Sequence, residues 1–195
     1  MSRFARVERN TRETQILVEL ELDGTGKYDV DTGIGFFDHM LEGFARHGLF
    51  DVKIKVQGDT RVDAHHTVED TGIVLGQAFL EALGDKAGIA RFGCFIQPMD
   101  DALVLSSLDF SGRVYCAFDA DLYTERLGTM ETETVREFFM GLAAGAKMNL
   151  HIRQMAGQNT HHVVEAIFKS VAKSMDMASG CDGRINGVLS TKGVL

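Results

Sequence analysis

The chain has 195 residues, of which 45% are hydrophobic and 25% charged, with a formal net charge of −8. This composition is typical of a globular protein with a sizeable core, and the negative charge argues against nucleic acid as the main partner. No run approaches the roughly 18 apolar residues of a membrane span, and three cysteines without a signal peptide or a CxxC pair favour the reducing cytoplasm, so we expect a cytoplasmic protein with no membrane partner.

The predicted elements follow the same order twice. Apolar alternation and turn residues predict strands over 3–10, 14–22 and 27–31, a helix over 35–47, a strand over 50–56 and a helix over 64–84. The second half has predicted strands over 92–98, 103–109 and 114–118, a helix over 133–146, a strand over 149–154 and a helix over 161–177. This repetition indicates a duplicated unit. Each half has helices for one sheet face only, so we expect two sheets that pack or associate through a helical layer.

A His-His-x-x-Glu motif begins the last helix of each half, at His65-His66-Thr67-Val68-Glu69 and at His161-His162-Val163-Val164-Glu165. Asp63 and Asn159 are the candidate N-caps of these helices. Residues four apart share a helix face, so His65 and Glu69 can bind one metal ion together. His66 lies about 100° around the helix and addresses a different ion. One motif alone supplies too few ligands, whereas two facing copies would complete two sites.

Nitrogen and oxygen ligands without a thiolate suit Mn, Fe, Co, Ni or Zn. A helix N-terminus disfavours imidazolium, which keeps the histidines neutral and able to bind a cation. Six-coordinate ions need further ligands, and the candidates are His39 on the preceding helix and Glu137 at the matching place in the second half. A single His-His pair is more often a surface or core feature, but its repetition with Glu at the same offset favours a metal site.

Four runs of residues together resemble the imidazoleglycerol-phosphate dehydratase family, over essentially the whole chain. These runs are Phe36-Phe37-Asp38-His39-Met40-Leu41, Asp63-Ala64-His65-His66-Thr67-Val68-Glu69-Asp70, Leu150-His151-Ile152 with Asn159-Thr160-His161-His162, and Ser190-Thr191-Lys192-Gly193-Val194-Leu195. The resemblance implies a monofunctional hydro-lyase of L-histidine biosynthesis. It would convert D-erythro-imidazole glycerol phosphate to imidazole acetol phosphate and water through a metal-stabilised imidazolate.

The resemblance also implies an α+β fold, a tandem duplication of a unit like the second domain of ribosomal protein S5. Each unit would have a four-stranded sheet with helices on one face. We predict repeat halves over 1–88 and 89–180 and a substrate-binding tail over 181–195, within one compact domain. The family uses two Mn²⁺ ions per active site and assembles as a 24-mer with active sites between subunits. Two ions suit the substrate chemically, because an imidazole ring has two nitrogens.

Residue by residue, the resemblance implies the following roles. The metal ligands are His39, His65, His66, Glu69, His161, His162 and Glu165. The residues that bind substrate are Glu13 at the diol, the segment 39–47 with His39 and His47 along the substrate, and Arg91, Arg113, Ser190 and Lys192 at the phosphate. Glu13, His65, Glu69 and Glu165 are the candidates for proton transfer.

One position departs from the family pattern. Glu137 stands where many members have a metal-binding histidine before the Phe138-Phe139 pair. A carboxylate also binds Mn²⁺, so we expect Glu137 to be a ligand; the alternative is a solvated helix residue. Two other functions compete with the dehydratase, namely a dinuclear metal-dependent hydrolase and a non-catalytic metal-binding or assembly protein.

Overall fold

Two four-stranded sheets, one two-stranded hairpin and four helices make up the structure, a computed structural model that describes residues 3–195. The first half contains β1 (Phe4–Asn10), β2 (Thr14–Glu21), β3 (Tyr28–Asp31), α1 (Gly35–Gly48), β4 (Asp51–Gly58) and α2 (His65–Leu83). The second half contains β5 (Phe92–Met99), β6 (Ala102–Asp109), β7 (Tyr115–Asp119), β8 (Arg126–Leu127), β9 (Met130–Glu131), α3 (Thr134–Ala146), β10 (Asn149–Ala156) and α4 (Thr160–Ser179).

The two sheets share one topology. Their strand orders are β1-β2-β4-β3 and β5-β6-β10-β7, and in each sheet only the last pair is parallel. The first hairpin pairs Phe4 with Glu21, and the second pairs Phe92 with Asp109, so both hairpins have the same register at an offset of 88 residues. The predicted α+β class and the duplicated arrangement are therefore confirmed, and each predicted element lies within two residues of an observed one.

The short hairpin of β8 and β9 is absent from the sequence-based prediction. Each strand has two residues, too few to produce a detectable periodicity. Gly128, at φ 62°, makes the turn between them. Glu131 pairs with Arg126 at 2.6 Å and accepts a 3.4 Å hydrogen bond from the backbone N–H of Ala64, directly before α2. The hairpin therefore supports the beginning of a helix that carries a histidine motif.

The helices lie on one face of each sheet, and the two helical layers pack against each other, α2 on α3 and α1 on α4. Glycines allow α2 and α3 to approach at backbone distance. A Cβ added at Gly72 would lie 2.3 Å from the carbonyl oxygen of Phe138, and one at Gly145 would lie 2.2 Å from that of Ile73. Gly72 meets the carbonyl oxygen of Phe138 and Gly76 meets that of Leu142, so the contacts advance in the same direction along both helices, which therefore run parallel.

Phenylalanines fill the centre of the helical layer, where the rings of Phe138 and Phe168 stack at 5.0 Å and Phe37 meets Phe138 edge-on at 5.4 Å. These side chains are buried on helices from both halves, so one core joins the two repeats. Within residues 3–195, no helix combines the length and apolar character that a bilayer crossing needs.

Candidate active site

The packing of α1 on α4 brings three candidate ligands together. His39 of α1 and His161 and Glu165 of α4 each offer a ligand atom within 4.8 Å of the other two. The Nε2 atom of His161 lies 3.2 Å from a Glu165 carboxylate oxygen, as expected for residues four apart on a helix. Phe36 contacts the His161 ring edge-on at 5.2 Å. A histidine of the first half thus joins the motif of the second half.

The first motif forms a similar pair on α2, where Nε2 of His65 lies 3.5 Å from a Glu69 carboxylate oxygen. Within residues 3–195, the cluster of His39, His161 and Glu165 is the one group of three such ligand atoms at this spacing. Glu137 is half-buried in the first turn of α3, the helix that packs on α2. Its role as a ligand stays a prediction.

The second histidine of each motif is held by a carboxylate from outside its helix. Nδ1 of His66 lies 3.1 Å from Asp59, and Nδ1 of His162 lies 2.7 Å from Asp101. The hydrogen bond with Asp59 raises the pKa of His66. A proton on Nδ1 leaves Nε2 as the ring nitrogen that can bind a metal, so these aspartates orient the imidazoles; Nε2 of His162 lies 3.4 Å from a carboxylate oxygen of Asp100. Sequence reasoning missed both aspartates.

Asp101 also accepts hydrogen bonds from the backbone N–H groups of Gln158 at 2.7 Å and Asn159 at 3.1 Å. The bond from Gln158, then those from His162 and Asn159, hold the pKa of Asp101 well below its usual range. Its ionised carboxylate therefore fastens the β5–β6 turn to the beginning of α4. No local pattern reveals this contact, because Asp101 and His162 are 61 residues apart.

Side-chain caps fix the first turn of both helices. Asn159 accepts hydrogen bonds from the backbone N–H groups of His161 at 3.0 Å and His162 at 3.3 Å, which confirms it as the N-cap of α4. Asp63 accepts one from the N–H of His65 at 2.8 Å, although Ala64 is the boundary residue of α2. The prediction of Asp63 as the N-cap of α2 is therefore wrong by one residue, although its side chain still accepts a hydrogen bond from the first turn.

The electrostatics of Glu165 favour its ionised form, which suits a candidate metal ligand. Burial alone would raise its pKa, but the hydrogen bond from Lys169 at 2.6 Å and the nearby positive charges outweigh burial and lower it. Burial, followed by the charges of Lys169 and Lys173, lowers the pKa of His47. Lys169 is a further residue that sequence reasoning missed, although its spacing of four from Glu165 was visible.

These side chains fit a divalent cation. The cluster of His39, His161 and Glu165 offers imidazole nitrogens and an ionised carboxylate, which are the donors that ions from Mn²⁺ to Zn²⁺ accept. The three cysteines are free thiols, and none belongs to the cluster.

The predicted phosphate residues come together in a second place. Arg91, Arg113, Ser190 and Lys192 line one cavity of about 670 Å³, which Arg184 also lines. The Arg91 guanidinium donates to Asp109 at 2.7 and 3.0 Å and to the carbonyl oxygen of Leu189 at 2.7 Å. Arg91 thus also anchors the C-terminal segment to β6, and sequence reasoning missed Asp109 and Arg184.

Glu13 lies in the β1–β2 turn with an exposed side chain. The hydroxyl of the next residue, Thr14, donates to Asp70 at 2.6 Å, and Asp70 follows Glu69 on α2, so the turn that carries Glu13 lies beside the first histidine motif. The structure therefore brings Glu13 near the candidate ligands.

The basic cavity and the histidine cluster lie at opposite ends of α4. His161 is in its first turn, whereas the backbone N–H of Arg91 donates to the carbonyl oxygen of Ala178 near its last residue. At about 1.5 Å per residue, roughly 25 Å of helix separates the two. The histidine cluster and the basic cavity of one chain therefore cannot both contact the same small molecule.

The chain is similar to known proteins along its whole length. A family model described as imidazoleglycerol-phosphate dehydratase matches residues 32–175. Imidazoleglycerol-phosphate dehydratase of Lachnoclostridium phytofermentans is 58% identical over 195 residues, covering 100% of both chains, and that of Caldanaerobacter subterraneus subsp. tengcongensis is 57% identical over 193 residues, covering 99% of this chain and 100% of the relative.

Two solved structures share the fold. The imidazoleglycerol-phosphate dehydratase of Staphylococcus aureus has a TM-score of 0.83 at 37% identity, with 92% of this chain and 99% of that chain covered. The Pyrococcus furiosus enzyme, in complex with (S)-C348, has a TM-score of 0.84 at 39% identity, with 97% and 100% covered.

Proposed function

Since the chain belongs to the imidazoleglycerol-phosphate dehydratase family, and is a hydro-lyase that converts imidazole glycerol phosphate to imidazole acetol phosphate in L-histidine biosynthesis, we propose that its active site forms between subunits around two metal ions. One observation carries the proposal of a shared site: the histidine cluster and the basic cavity lie at opposite ends of α4. The substrate is far shorter than this helix, so its imidazole and phosphate ends must meet different chains.

The proposed cofactor is Mn²⁺, two ions per active site. His39, His161 and Glu165 would hold one ion, and His65 and Glu69, with Glu137 as the proposed third ligand, would contribute to the other. His66 and His162 would add their Nε2 atoms from neighbouring chains, oriented by Asp59 and Asp101. When bound, the ions supply Lewis-acid stabilisation of negative charge on the imidazole ring.

The basic cavity is the proposed phosphate site. Arg113 and Lys192 bring positive charge to its lining, and Ser190 offers a hydroxyl. Arg91, which Asp109 holds in place, supports the segment that carries Ser190 and Lys192 through its bond to Leu189. Charge-assisted hydrogen bonds of this kind position a phosphate and so orient the rest of the substrate.

Proton transfer is the remaining task of the protein. The hydroxyl on the ring-side carbon leaves with a proton as water, and the next carbon gives up a proton. The resulting enol becomes the ketone when its hydroxyl proton is lost and the ring-side carbon gains one. Glu13 is the proposed carrier because it is exposed and near His66; His65, Glu69 and Glu165 are the other candidates.

Assembly into a 24-mer and residence in the cytoplasm complete the proposal. The site as proposed has no complete substrate-binding surface within one chain, which supports an oligomer. Scattering mass should correspond to twenty-four copies of the 21.4 kDa chain. A reducing compartment suits three cysteines that form no disulfide.

Turnover of imidazole glycerol phosphate with and without Mn²⁺ tests the function. We expect chelation to abolish imidazole acetol phosphate formation and Mn²⁺ to restore it. Glu13→Gln should lower kcat by about 10²- to 10⁴-fold while the Mn²⁺ stoichiometry stays at the wild-type value. Undiminished turnover of this variant would contradict the role of Glu13, and undiminished turnover after complete chelation would contradict the role of the metal.

A further inference from the structure

Asp70 is a buried carboxylate for which the proposed chemistry has no use. It follows Glu69 directly on α2 and is 8% exposed. Two residues of the β1–β2 hairpin engage it: the hydroxyl of Thr14 donates to it at 2.6 Å, and the Arg9 guanidinium forms an ion pair with it. We call Arg9, Thr14 and Asp70 the Asp70 clamp. A partly exposed ion pair of this kind contributes little net stability, so what the clamp holds in place matters more than its own energy.

The clamp holds the turn that carries Glu13. The hydroxyl of Thr11 accepts hydrogen bonds from the backbone N–H groups of Glu13 at 3.1 Å and Thr14 at 2.9 Å, and lies 3.2 Å from the hydroxyl of Thr14. Thr14 is 1% exposed and therefore has little freedom to move. A continuous hydrogen-bond path thus leads from Asp70 through two threonines to the backbone of Glu13.

In the duplicated second half, different contacts hold the corresponding turn. Because both hairpins have one register at an offset of 88 residues, Glu13 corresponds to Asp101. Asp101 is fastened by the bonds from Gln158, Asn159 and His162 described above. In the first half, Asp59 rather than Glu13 bonds the corresponding histidine, His66. The carboxylate of Glu13 therefore stays available for proton transfer, and its turn is held to α2 by other residues.

The positions of the clamp in the second half are occupied by Gln97, Ala102 and Ala166. Both alanines are buried and have no polar side-chain atom, so that half folds without a polar side-chain clamp at these positions. The polar clamp is therefore dispensable for the architecture and is present only where the turn carries a free carboxylate.

We propose that Asp70 is a positioning residue that, with Arg9 and Thr14, fixes the β1–β2 turn on α2 and so holds Glu13 in register with the ligands one turn earlier on the same helix. The inference rests on the proposed role of Glu13 in proton transfer. A displacement of about 1 Å at a reacting group costs on the order of 10²-fold in rate, which sets the scale of the effect.

Thr14→Val tests the clamp in the assembled, Mn²⁺-loaded enzyme, because it keeps the side-chain shape and removes the hydroxyl. We expect kcat to fall by about ten- to a hundredfold with KM changed by less than about threefold, and amide exchange of residues 11–14 to accelerate. Thr14→Ser restores the hydroxyl and should recover most of kcat. Asp70→Asn, which removes the charge that pairs with Arg9, should also lower kcat.

The matched control is Ser174→Ala. Ser174 of α4 bonds the hydroxyl of Ser106 on β6 at 2.6 Å, so it joins the same two elements of the second half, also through a buried hydroxyl. It should lower the melting temperature and leave kcat unchanged. In the Glu13→Gln background, Thr14→Val should cost no further activity.

Three results would each overturn the proposed role of the clamp. They are a wild-type kcat in Thr14→Val, an equal loss of kcat in Ser174→Ala, and a full additional loss of kcat when Thr14→Val is added to Glu13→Gln. Failure of the proposed role of Glu13 looks different, because Glu13→Gln alone would then retain turnover. If Asp70→Asn does not fold, the Thr14 variants still decide the question.

Discussion

Two variants that are inactive separately should restore activity when they assemble together. His161→Ala removes an imidazole from the cluster near the beginning of α4, and Lys192→Ala removes an ammonium group from the basic cavity near its end. Because roughly 25 Å of helix separates the two places, we expect each active site to take His161 from one chain and Lys192 from another.

The expected recovery follows from this geometry. In an oligomer assembled at random from equal amounts of the two variants, half of the chains retain His161 and the other half retain Lys192. When different chains supply them, about one quarter of the sites have both, so about one quarter of wild-type kcat should return. When a single chain supplies both, no site is intact and no activity returns.

The mixed oligomers can be prepared by co-expression with two different tags and sequential affinity purification. Turnover of imidazole glycerol phosphate then measures the recovery of activity. His39→Ala mixed with His161→Ala is the matched control, because these side chains belong to one cluster of one chain and cannot complement each other. Mixed oligomers of His161→Ala and Lys192→Ala that stay as inactive as their parents would refute the shared site.

Three further predictions concern the supports of the site and the fold. Asp101→Asn should weaken Mn²⁺ binding by about 10- to 100-fold in calorimetric titration, because it loosens the hold on His162. Gly145→Ala should lower the free energy of unfolding by about 1–3 kcal/mol or more, since a Cβ there would lie 2.2 Å from a carbonyl oxygen of α2. Asp176→Asn should raise the melting temperature at neutral pH, because burial, partly offset by Lys173, raises the pKa of this carboxyl, and its charge lies near the negative end of α4.

The pH dependence of the last prediction has a definite sign. A raised folded-state pKa means that ionised Asp176 destabilises the fold above that pKa, and the cost disappears below the unfolded pKa of 3.8. The gain from Asp176→Asn should therefore disappear at about pH 3. A gain that persists there would contradict electrostatics as its cause.

The control for Gly145→Ala is Gly43→Ala. No atom outside its own helix lies within 4 Å of the added Cβ, so this change should be neutral or slightly stabilising. An equal loss of stability would contradict the close-packing argument.

Much of the fold and of the candidate site was predictable because the signals are local. Periodicity located the helices and the eight strands of the two sheets within two residues, and the doubled motif predicted the close pairs His65–Glu69 and His161–Glu165, whose role as ligands stays a prediction. A spacing of four residues fixes a shared helix face whatever surrounds the helix. The family resemblance added Arg91, Arg113, Ser190 and Lys192, which the structure brings to one cavity.

Other features required the tertiary structure because they join residues that are distant in sequence. His39 meets His161 only because α1 packs on α4, and Asp101 reaches His162 across 61 residues. The sequence by itself determined which side chains are candidate metal ligands and which helix faces they share, since helical periodicity is a property of neighbouring residues. Only the tertiary structure decided which halves combine, and that the histidine cluster and the basic cavity lie at opposite ends of one helix. Helix packing, which depends on contacts such as those of Gly72 and Gly145, sets these distances.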